Sequence, residues 1–338
     1  MRRALAALAA AWLPALAPAA SPEDFERCNA AHPGEAGKAD RLACFARLLG
    51  TDSVAAPVAG PVAAPAAVPV AGKEQEPVKL APTDDYAVAT QLNYFLPAFH
   101  SRNPSRVSSS PTRPPVSERD RQPTEAKFRL DLRKRVARSI LAHDDDLWLE
   151  YTQVSHWQLW NAEGSRPFRE SSYEPQATYT FRPQLLDALP GGGLVRNLGV
   201  AVNHNSNGRG GDGSRSWNRV IAQAYVGDDT ANAQLRAWWH VRENDDDNPD
   251  IADHFGRADL TMRFALTPRT HLTLMGRHSL RGGDRNRGAI QADLAFSRPW
   301  TGDLRLHLQF FRGYGESLID YNHLGTYYGI GFSLGSWQ

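Results

Sequence analysis

The feature that most constrains the fold of this chain is a two-residue alternation of apolar and polar side chains. In the segment 304–311 the even positions are Leu, Leu, Leu and Phe, and Arg305, His307 and Gln309 stand between them. Successive side chains of a β-strand point to opposite faces, so this segment predicts a strand with one apolar and one polar face. The same alternation recurs, in segments of about ten residues, from about residue 84 to the end of the chain.

Turn-forming clusters separate these segments, for example at 245–249, 281–284 and 299–303. An apolar face opposite Arg, His, Gln and Asp is unusual for a soluble β-sandwich, whose apolar faces pack together over a shared core. It suits a closed barrel with lipid outside and a polar, hydrogen-bonded interior. We count about twelve segments, an even number as antiparallel closure requires. The sequence therefore predicts an all-β fold, a 12-stranded antiparallel transmembrane β-barrel over residues 84–338. A soluble secreted β-sandwich is the alternative.

The amino-acid composition excludes some classes of binding partner and of membrane protein. The chain of 338 residues carries 38 Lys and Arg against 37 Asp and Glu, a formal net charge of +1. That balance excludes the basic footprint of a nucleic-acid-binding protein, so no nucleic-acid partner is expected. Beyond the N-terminus, no run approaches the roughly 20 apolar residues of a spanning helix. Nine Trp, ten Tyr and 27 Gly favour β structure with aromatic girdles.

The N-terminus has the layout of a secretory signal peptide. A basic start at residues 1–3 precedes an apolar stretch at 4–16 and small residues up to Ala20. This pattern predicts a signal peptide over residues 1–20, removed after Ala19 or Ala20. An uncleaved anchor helix is the alternative, although a proline interrupts the short apolar stretch.

Residues 21–50 predict a small helical hairpin, since helix start and stop signals occur twice. Export to an oxidising compartment makes Cys28 and Cys44 candidates for a disulfide that joins the two helices. Residues 51–83 are rich in Ala and Pro and predict an extended linker. The barrel is therefore expected to follow a disulfide-stapled periplasmic hairpin and a linker.

A candidate catalytic group occurs in the segment 198–206 and in the segment that follows it. If Val200 faces outward, the two-residue period places His204 and Ser206 on the same outer face, and Asn218 falls on the apolar face of the returning strand. A serine hydroxyl becomes a nucleophile when a base removes its proton and a third group holds the base. Asparagine fills that third role in Cys-His-Asn hydrolases. Taken alone, the pattern also fits ordinary polar residues at the end of a strand.

Longer segments follow one another in an order typical of one known family: 151–153, 157–159, 167–170, 173–176, 203–209, 214–219, 246–251 and 313–321. In these segments the chain resembles the outer-membrane phospholipase A of Gram-negative bacteria, from about Leu147 to the end. The resemblance implies a barrel in the outer membrane that hydrolyses phospholipid acyl esters with A1, A2 and lysophospholipase activity. It also implies a calcium requirement and a resting monomer that is active as a homodimer. It covers neither the cysteine hairpin nor the linker.

Carried over residue by residue, the resemblance implies specific roles in hydrolysis. Ser206 is implied as the nucleophile, His204 as the general base and Asn218 as the group that orients the base. The backbone N–H of Gly208 is implied as a donor to the oxyanion. The residue between the histidine and the serine is commonly acidic in the family but is Asn205 here, and it is expected to point inward.

Calcium ligands are implied in the same way. They are Ser165, Arg209 through its carbonyl, and Ser214, with a second calcium position at Asp247. The loop 210–213 departs from the family because it is rich in glycine, which puts the detailed calcium shell in question. These residues also fit ordinary polar loop groups, since calcium usually collects more carboxylates than this set provides.

Two other functions compete with lipid hydrolysis. A non-catalytic channel or structural barrel is one, but a channel needs an open lumen, and the bulky inward residues Trp217, Trp238 and Phe311 predict a filled one. A different outer-membrane hydrolase such as a protease is the other, and no pair of acids stands beside His204 to activate a water. A lipid is also the substrate that most readily reaches a nucleophile on the outer face.

Overall fold

The chain is described here by a computed structural model. It covers residues 93–334 apart from 119, 142–144, 189, 299–300 and 303, together with residues 27, 28, 30, 31, 40 and 44. The chain divides into two compact units, Met1–Gln75 and Glu76–Gln338. The predicted signal peptide at 1–20 and the predicted linker at 51–83 lie outside the described residues.

The first unit contains the predicted disulfide. A bond joins Cys28 and Cys44, whose Cα atoms are 5.9 Å apart, and the Cys28 side chain is buried. Both cysteines lie in helical turns. The pairing inferred from export and from the two helical segments is therefore confirmed.

The second unit is a closed barrel of twelve antiparallel strands, as the alternation predicts. Two further short strands, β2 and β3, pair with each other in a separate two-stranded sheet. The strands are β1 (Asn93–Ser101), β2 (Val107–Ser108), β3 (Val116–Ser117), β4 (Thr124–Arg138), β5 (Asp146–Trp157), β6 (Phe168–Phe181), β7 (Val195–Ser206), β8 (Ser216–Gly227), β9 (Ala231–Val241), β10 (Ala258–Thr267), β11 (Thr270–His278), β12 (Gly288–Phe296), β13 (Arg305–Gly313) and β14 (Gly325–Leu334).

Short helical turns lie in the connections between strands. One α-helical turn, Ile251–His254, follows β9. The other turns are 3₁₀ helices, at Gln184–Ala188, Gly192–Leu194, Gly211–Gly213 and Gly283–Arg285. No helix among the described residues is long and apolar enough to cross a membrane.

The barrel closes through β1, which pairs with β14 on one side and with β4 on the other. Both ladders of β1 contain an irregularity between Phe95 and Phe99, where the register shifts. Pro97 lies within this stretch, and proline has no N–H to give to a ladder. The resulting bulge places both Leu96 and Phe99 in the interior, although they are three residues apart and alternation alone would send them to opposite faces.

The inner and outer faces of the barrel wall follow the predicted alternation of polar and apolar side chains. In β13, His307 and Gln309 are buried while Leu308 between them is exposed. In β9, Trp239 is 63% exposed and its neighbour Trp238 only 4%. The outer surface is thus apolar, which matches a lipid environment in which every backbone polar group pairs within the wall.

The lumen is filled by bulky and charged side chains. Trp217, Trp238 and Phe311 are buried inside it, as predicted. A cavity of about 220 Å³ remains between polar side chains. Ion pairs join many of the charges that line it, and they include Lys127–Glu316, Arg129–Asp131, Arg133–Glu150, Arg219–Glu174 and Arg236–Asp259. An interior crossed by such pairs is a hydrogen-bonded core and not an open channel.

Breaking one buried pair should destabilise the barrel. Arg219 is 3% exposed, bonds Glu174 and Asn203, and stacks over the Trp217 ring. Arg219→Met leaves the partly buried Glu174 carboxylate in the lumen without this charge partner, so we expect a loss of about 2–4 kcal/mol, somewhat less than for a fully buried pair. The measurement is denaturant unfolding in detergent micelles, followed by the shift in electrophoretic mobility. Arg196→Met is the control, because its partner Asp229 is 85% exposed and the loss should be at most about 1 kcal/mol. Equal losses in the two variants would contradict the prediction.

Candidate functional site

Strands β7 and β8 bring three of the predicted site residues to one face. In β7, Asn203 and Asn205 are buried, whereas His204 between them is exposed and Ser206 is half-buried. The register pairs His204 with Asn218 of β8. The outward placement of His204, Ser206 and Asn218 follows from the same alternation that builds the wall.

The imidazole and the amide are in hydrogen-bond contact. His204 Nδ1 lies 2.7 Å from Asn218 Oδ1. An amide oxygen only accepts a hydrogen bond, so Nδ1 is the donor in this contact, and in the neutral ring Nε2 then keeps a free lone pair. Ser206 follows His204 on the same face of the strand. The arrangement therefore places Nε2 of His204 and the Ser206 hydroxyl on the same outer face of the barrel.

A fourth residue lies at this place, Glu243, which is not predicted from the sequence. The Asn218 amide nitrogen donates a hydrogen bond to its carboxylate. Glu243 lies two residues beyond Val241, the β9 partner of Asn218 in the ladder. Glu243 follows the end of β9, so the two-residue period of the strand does not extend to it. Its contact with Asn218 could be predicted only from the register between β8 and β9, which the sequence alone does not provide.

The loop after Ser206 is organised by the buried side chain of Asn207. Its amide nitrogen donates to the carbonyl of Gly213 at 2.8 Å. Its oxygen accepts the backbone N–H of Arg215 at 3.0 Å and, more weakly, that of Arg209 at 3.3 Å. Gly208 has a φ of 64°, in the left-handed region, and the Tyr173 ring occupies the space that a side chain here would enter. The backbone beside the nucleophile candidate is therefore fixed by side-chain hydrogen bonds.

Asp247 is joined to this loop from the other side. Its carboxylate accepts a hydrogen bond from the Ser214 hydroxyl and from Arg113 Nε at 2.8 Å. Burial alone raises the pKa of the Asp247 carboxyl, but the Ser214 hydrogen bond and the Arg113 charge outweigh it and lower the pKa below its ordinary value. Asp247 is therefore ionised and paired.

The other predicted calcium ligands are more dispersed. Arg209 and Ser214 lie in one loop, and the Arg209 side chain donates to the carbonyl of Arg169. Ser165 lies in the connection between β5 and β6, where it is exposed and has a φ of 59°. Within the part of the chain that the structure describes, no three His, Cys, Asp or Glu side chains are grouped to hold a metal.

The oxygen atoms of this loop are of the type that calcium prefers, but they are fewer than the ligands that calcium needs. The Arg209 carbonyl and the Ser214 hydroxyl are hard oxygen donors, which calcium prefers. A Cβ at Gly210 or Gly211 would meet nothing within 4 Å, so the backbone between the two donors is open on its outer side. Calcium takes about six to eight oxygens, more than this loop supplies. The remaining ligands would have to come from water or from another chain.

Fold and site together define a class of protein. It is a closed β-barrel with an apolar outside and a filled polar lumen, and it carries serine, histidine and asparagine grouped on its outer face at one rim. These features are those of an outer-membrane β-barrel with an apolar outer face.

The chain belongs to the phospholipase A1 family, whose profile matches residues 84–334. It is 36% identical over 245 residues to a putative phospholipase A1 of Neisseria meningitidis, covering 70% of this chain and 62% of that protein. It is 39% identical over 210 residues to phospholipase A1 of Escherichia coli, covering 62% of this chain and 69% of that protein. The sequence-based assignment to a family is confirmed.

Solved structures of similar fold support this family assignment. The outer membrane phospholipase A of Escherichia coli matches with a TM-score of 0.64 and 30% identity, covering 78% of this chain and 96% of that one. An outer membrane phospholipase of Salmonella typhi, described as a dimer with bound calcium, matches with a TM-score of 0.62 and 30% identity, covering 73% and 91%. The 12-stranded fold predicted from the alternation is thus shared with these proteins.

Gly208 should tolerate a side chain less well than its neighbour Gly210. A Cβ on Gly208 would lie 3.0 Å from the Tyr173 ring, in a backbone conformation that L residues rarely adopt. Gly208→Ala should therefore cost about 1–3 kcal/mol of local stability. Gly210→Ala is the matched control, with a φ of −101° and open space around the added methyl. Limited proteolysis of the loop in detergent micelles measures both variants. Equal cleavage rates would show that the loop does not depend on Gly208.

Proposed function

We propose that this protein hydrolyses the acyl esters of membrane phospholipids in the bacterial outer membrane. The reaction depends on calcium, is activated by dimerisation and includes A1, A2 and lysophospholipase activity. The observation that carries the proposal is the contact between His204 Nδ1 and Asn218 Oδ1 on the outer face of the barrel, with Ser206 two residues after His204 on the same face of β7. Membership in the phospholipase A1 family supports it. The filled lumen disfavours a channel.

The residues supply a nucleophile and a base. Ser206 Oγ attacks the carbonyl carbon of the ester, and its proton passes to His204 Nε2. The carbon–oxygen bond to the glycerol breaks, and the imidazolium returns the proton to the leaving alcohol. A water then attacks the acyl-serine with His204 again as base, which releases the fatty acid and restores the serine. Asn218 holds the imidazole through Nδ1 during both steps.

The negative oxygen of the tetrahedral intermediate needs a donor. Gly208 lies two residues beyond Ser206, and the loop that contains it is held by the Asn207 side chain. We assign its backbone N–H to the oxyanion. A fixed donor of this kind acts without reorganisation when the charge develops.

Calcium is assigned to the Arg209 carbonyl and the Ser214 hydroxyl, with Ser165 contributed by a second chain. When bound there, the ion would supply positive charge that stabilises the developing oxyanion. Two donors from one chain are too few, and Ser165 lies on a different hairpin, which supports an incomplete site in the monomer. Asp247 already pairs with Arg113 and Ser214, so we leave it out of this set.

Dimerisation through the apolar outer faces would complete the calcium shell and form a cleft for acyl chains. The Salmonella typhi structure, described as a dimer with bound calcium, supports this arrangement. The N-terminal signal pattern at residues 1–20 supports export. The apolar wall supports insertion into the outer membrane as a resting monomer.

The nucleophile assignment predicts a clear loss of activity. Ser206→Ala should abolish fatty-acid release from phospholipid micelles, because it removes the hydroxyl that we assign as the nucleophile. Asn218→Ala should be milder, since it loses orientation but keeps the attacking group. Electrophoretic heat-modifiability checks that both variants are folded. Substantial activity in Ser206→Ala would reject the assignment.

Calcium and dimerisation are expected to act as one switch. Chelation should remove activity, and Ser165→Ala or Ser214→Asn should weaken both calcium affinity and calcium-dependent dimerisation. Cross-linking in detergent, combined with fatty-acid release at graded calcium concentrations, measures both. The proposal fails if a chelator-treated monomer in dilute detergent shows full activity.

A further inference from the structure

We propose that Glu243 is a positioning residue that sets the direction of the Asn218 amide; this inference rests on the proposed triad. The amide nitrogen of Asn218 donates to the Glu243 carboxylate, while its oxygen lies 2.7 Å from His204 Nδ1. An ionised carboxylate can only accept hydrogen bonds. It therefore holds the amide with the nitrogen toward itself and the oxygen toward the imidazole.

The direction of this amide decides which imidazole nitrogen can act as a base. With Oδ1 facing the ring, His204 carries its proton on Nδ1 and leaves Nε2 free for the Ser206 proton. A flipped amide would present its NH₂ to Nδ1 and favour the tautomer with the proton on Nε2, which cannot serve as a base. In a serine protease, replacing the orienting Asp by Asn gives this wrong tautomer and lowers kcat about 10⁴-fold. An asparagine triad carries the same risk unless a neighbour fixes the amide.

Substitutions at Glu243 should distinguish an amide that has lost its fixed orientation from one that is held in the flipped orientation. Glu243→Asp should stay near wild type, and Glu243→Ala should lower kcat about tenfold through lost orientation. Glu243→Lys should lower it by about 100-fold or more, because an ammonium donates to Oδ1 and turns the NH₂ toward His204. KM for phospholipid micelles should not change. Asp245→Lys is the matched control: it makes the same charge change on a 94%-exposed side chain of the same loop and should leave kcat within about twofold.

The decisive experiment uses the Asn218→Ala background. Glu243 acts only through the Asn218 amide, so Glu243→Lys should have almost no effect in this background. The double variant should then be more active than Glu243→Lys alone. A fall of the same size in both backgrounds would overturn the inference, as would wild-type kcat in Glu243→Lys. Ser206→Ala is assayed in parallel. Activity there rejects the proposed triad, whereas an inactive Ser206→Ala with an undisturbed Glu243→Lys rejects the role of Glu243 alone.

A second inference concerns Asp247 and is carried by a separate set of contacts. We infer that Arg113 serves as a built-in cation for this carboxylate, in place of the calcium expected there. Arg113 Nε lies 2.8 Å from Asp247 Oδ1, and the Ser214 hydroxyl donates to Oδ2. The Asp247 side chain is 10% exposed, so both of its oxygens are already engaged in a largely buried position.

The segment that carries Arg113 is docked on the same loop by side-chain hydroxyls that donate to the backbone carbonyls of the loop. Ser110 Oγ donates to the carbonyl of Asp247 at 2.6 Å. Thr112 Oγ1 donates to the carbonyls of Asp246 and Asp247, each at 2.8 Å. The guanidinium is thus placed by a fixed neighbouring segment. A divalent ion at Asp247 would have to displace a charge that the chain itself holds in position.

The test counts bound calcium by equilibrium dialysis of the full chain in detergent. Wild type and Asp247→Asn should bind the same number of ions. Arg113→Gln should gain one weaker ion that the double variant Arg113→Gln/Asp247→Asn lacks, whereas Arg113→Lys and the exposed Arg102→Gln should gain none. Loss of an ion in Asp247→Asn, or no gain in a folded Arg113→Gln, would overturn the inference. Heat-modifiability reports folding of each variant.

Discussion

Pairing of every backbone N–H and C=O within a closed wall is the constraint on which the rest of this structure depends. A lipid surrounding offers no water to an open strand edge, so β1 must pair with both β14 and β4. Closure then forces alternate side chains outward and inward along each strand. The outward set becomes apolar, and the inward set becomes a network of ion pairs and rings. The position of His204, Ser206 and Asn218 on the outside follows from this single geometric rule.

The sequence predicts what depends on the two-residue period. The barrel, its filled lumen, the faces of β13 and the shared face of His204 and Ser206 all follow from reading alternate positions. The Cys28–Cys44 bond follows from helical pattern and export. These features depend on local order along the chain, so one sequence is enough to reach them.

Features that depend on register or on distant contacts were not predicted. The bulge around Pro97 reverses the alternation of β1, and a proline marks its place without giving its geometry. The Glu243 contact needs the ladder between β8 and β9. Arg113 and Asp247 are 134 residues apart in the chain, and no local pattern joins them. The interior and exterior of the wall are thus readable from sequence, whereas the loops at its rim are specified by tertiary contacts.

The outward position of the site has a consequence for control of the reaction. Phospholipid would form the medium around such a barrel, so a site on its outer face would be saturated with substrate at all times. Varying the amount of substrate would then change nothing. The rate would be governed by how long the protein remains in its competent form, and by how closely the height of the rim matches the depth of the ester bonds in the bilayer. A mismatch of a few ångströms between membrane thickness and barrel height would then lower the rate of the reaction without any change in the amount of substrate.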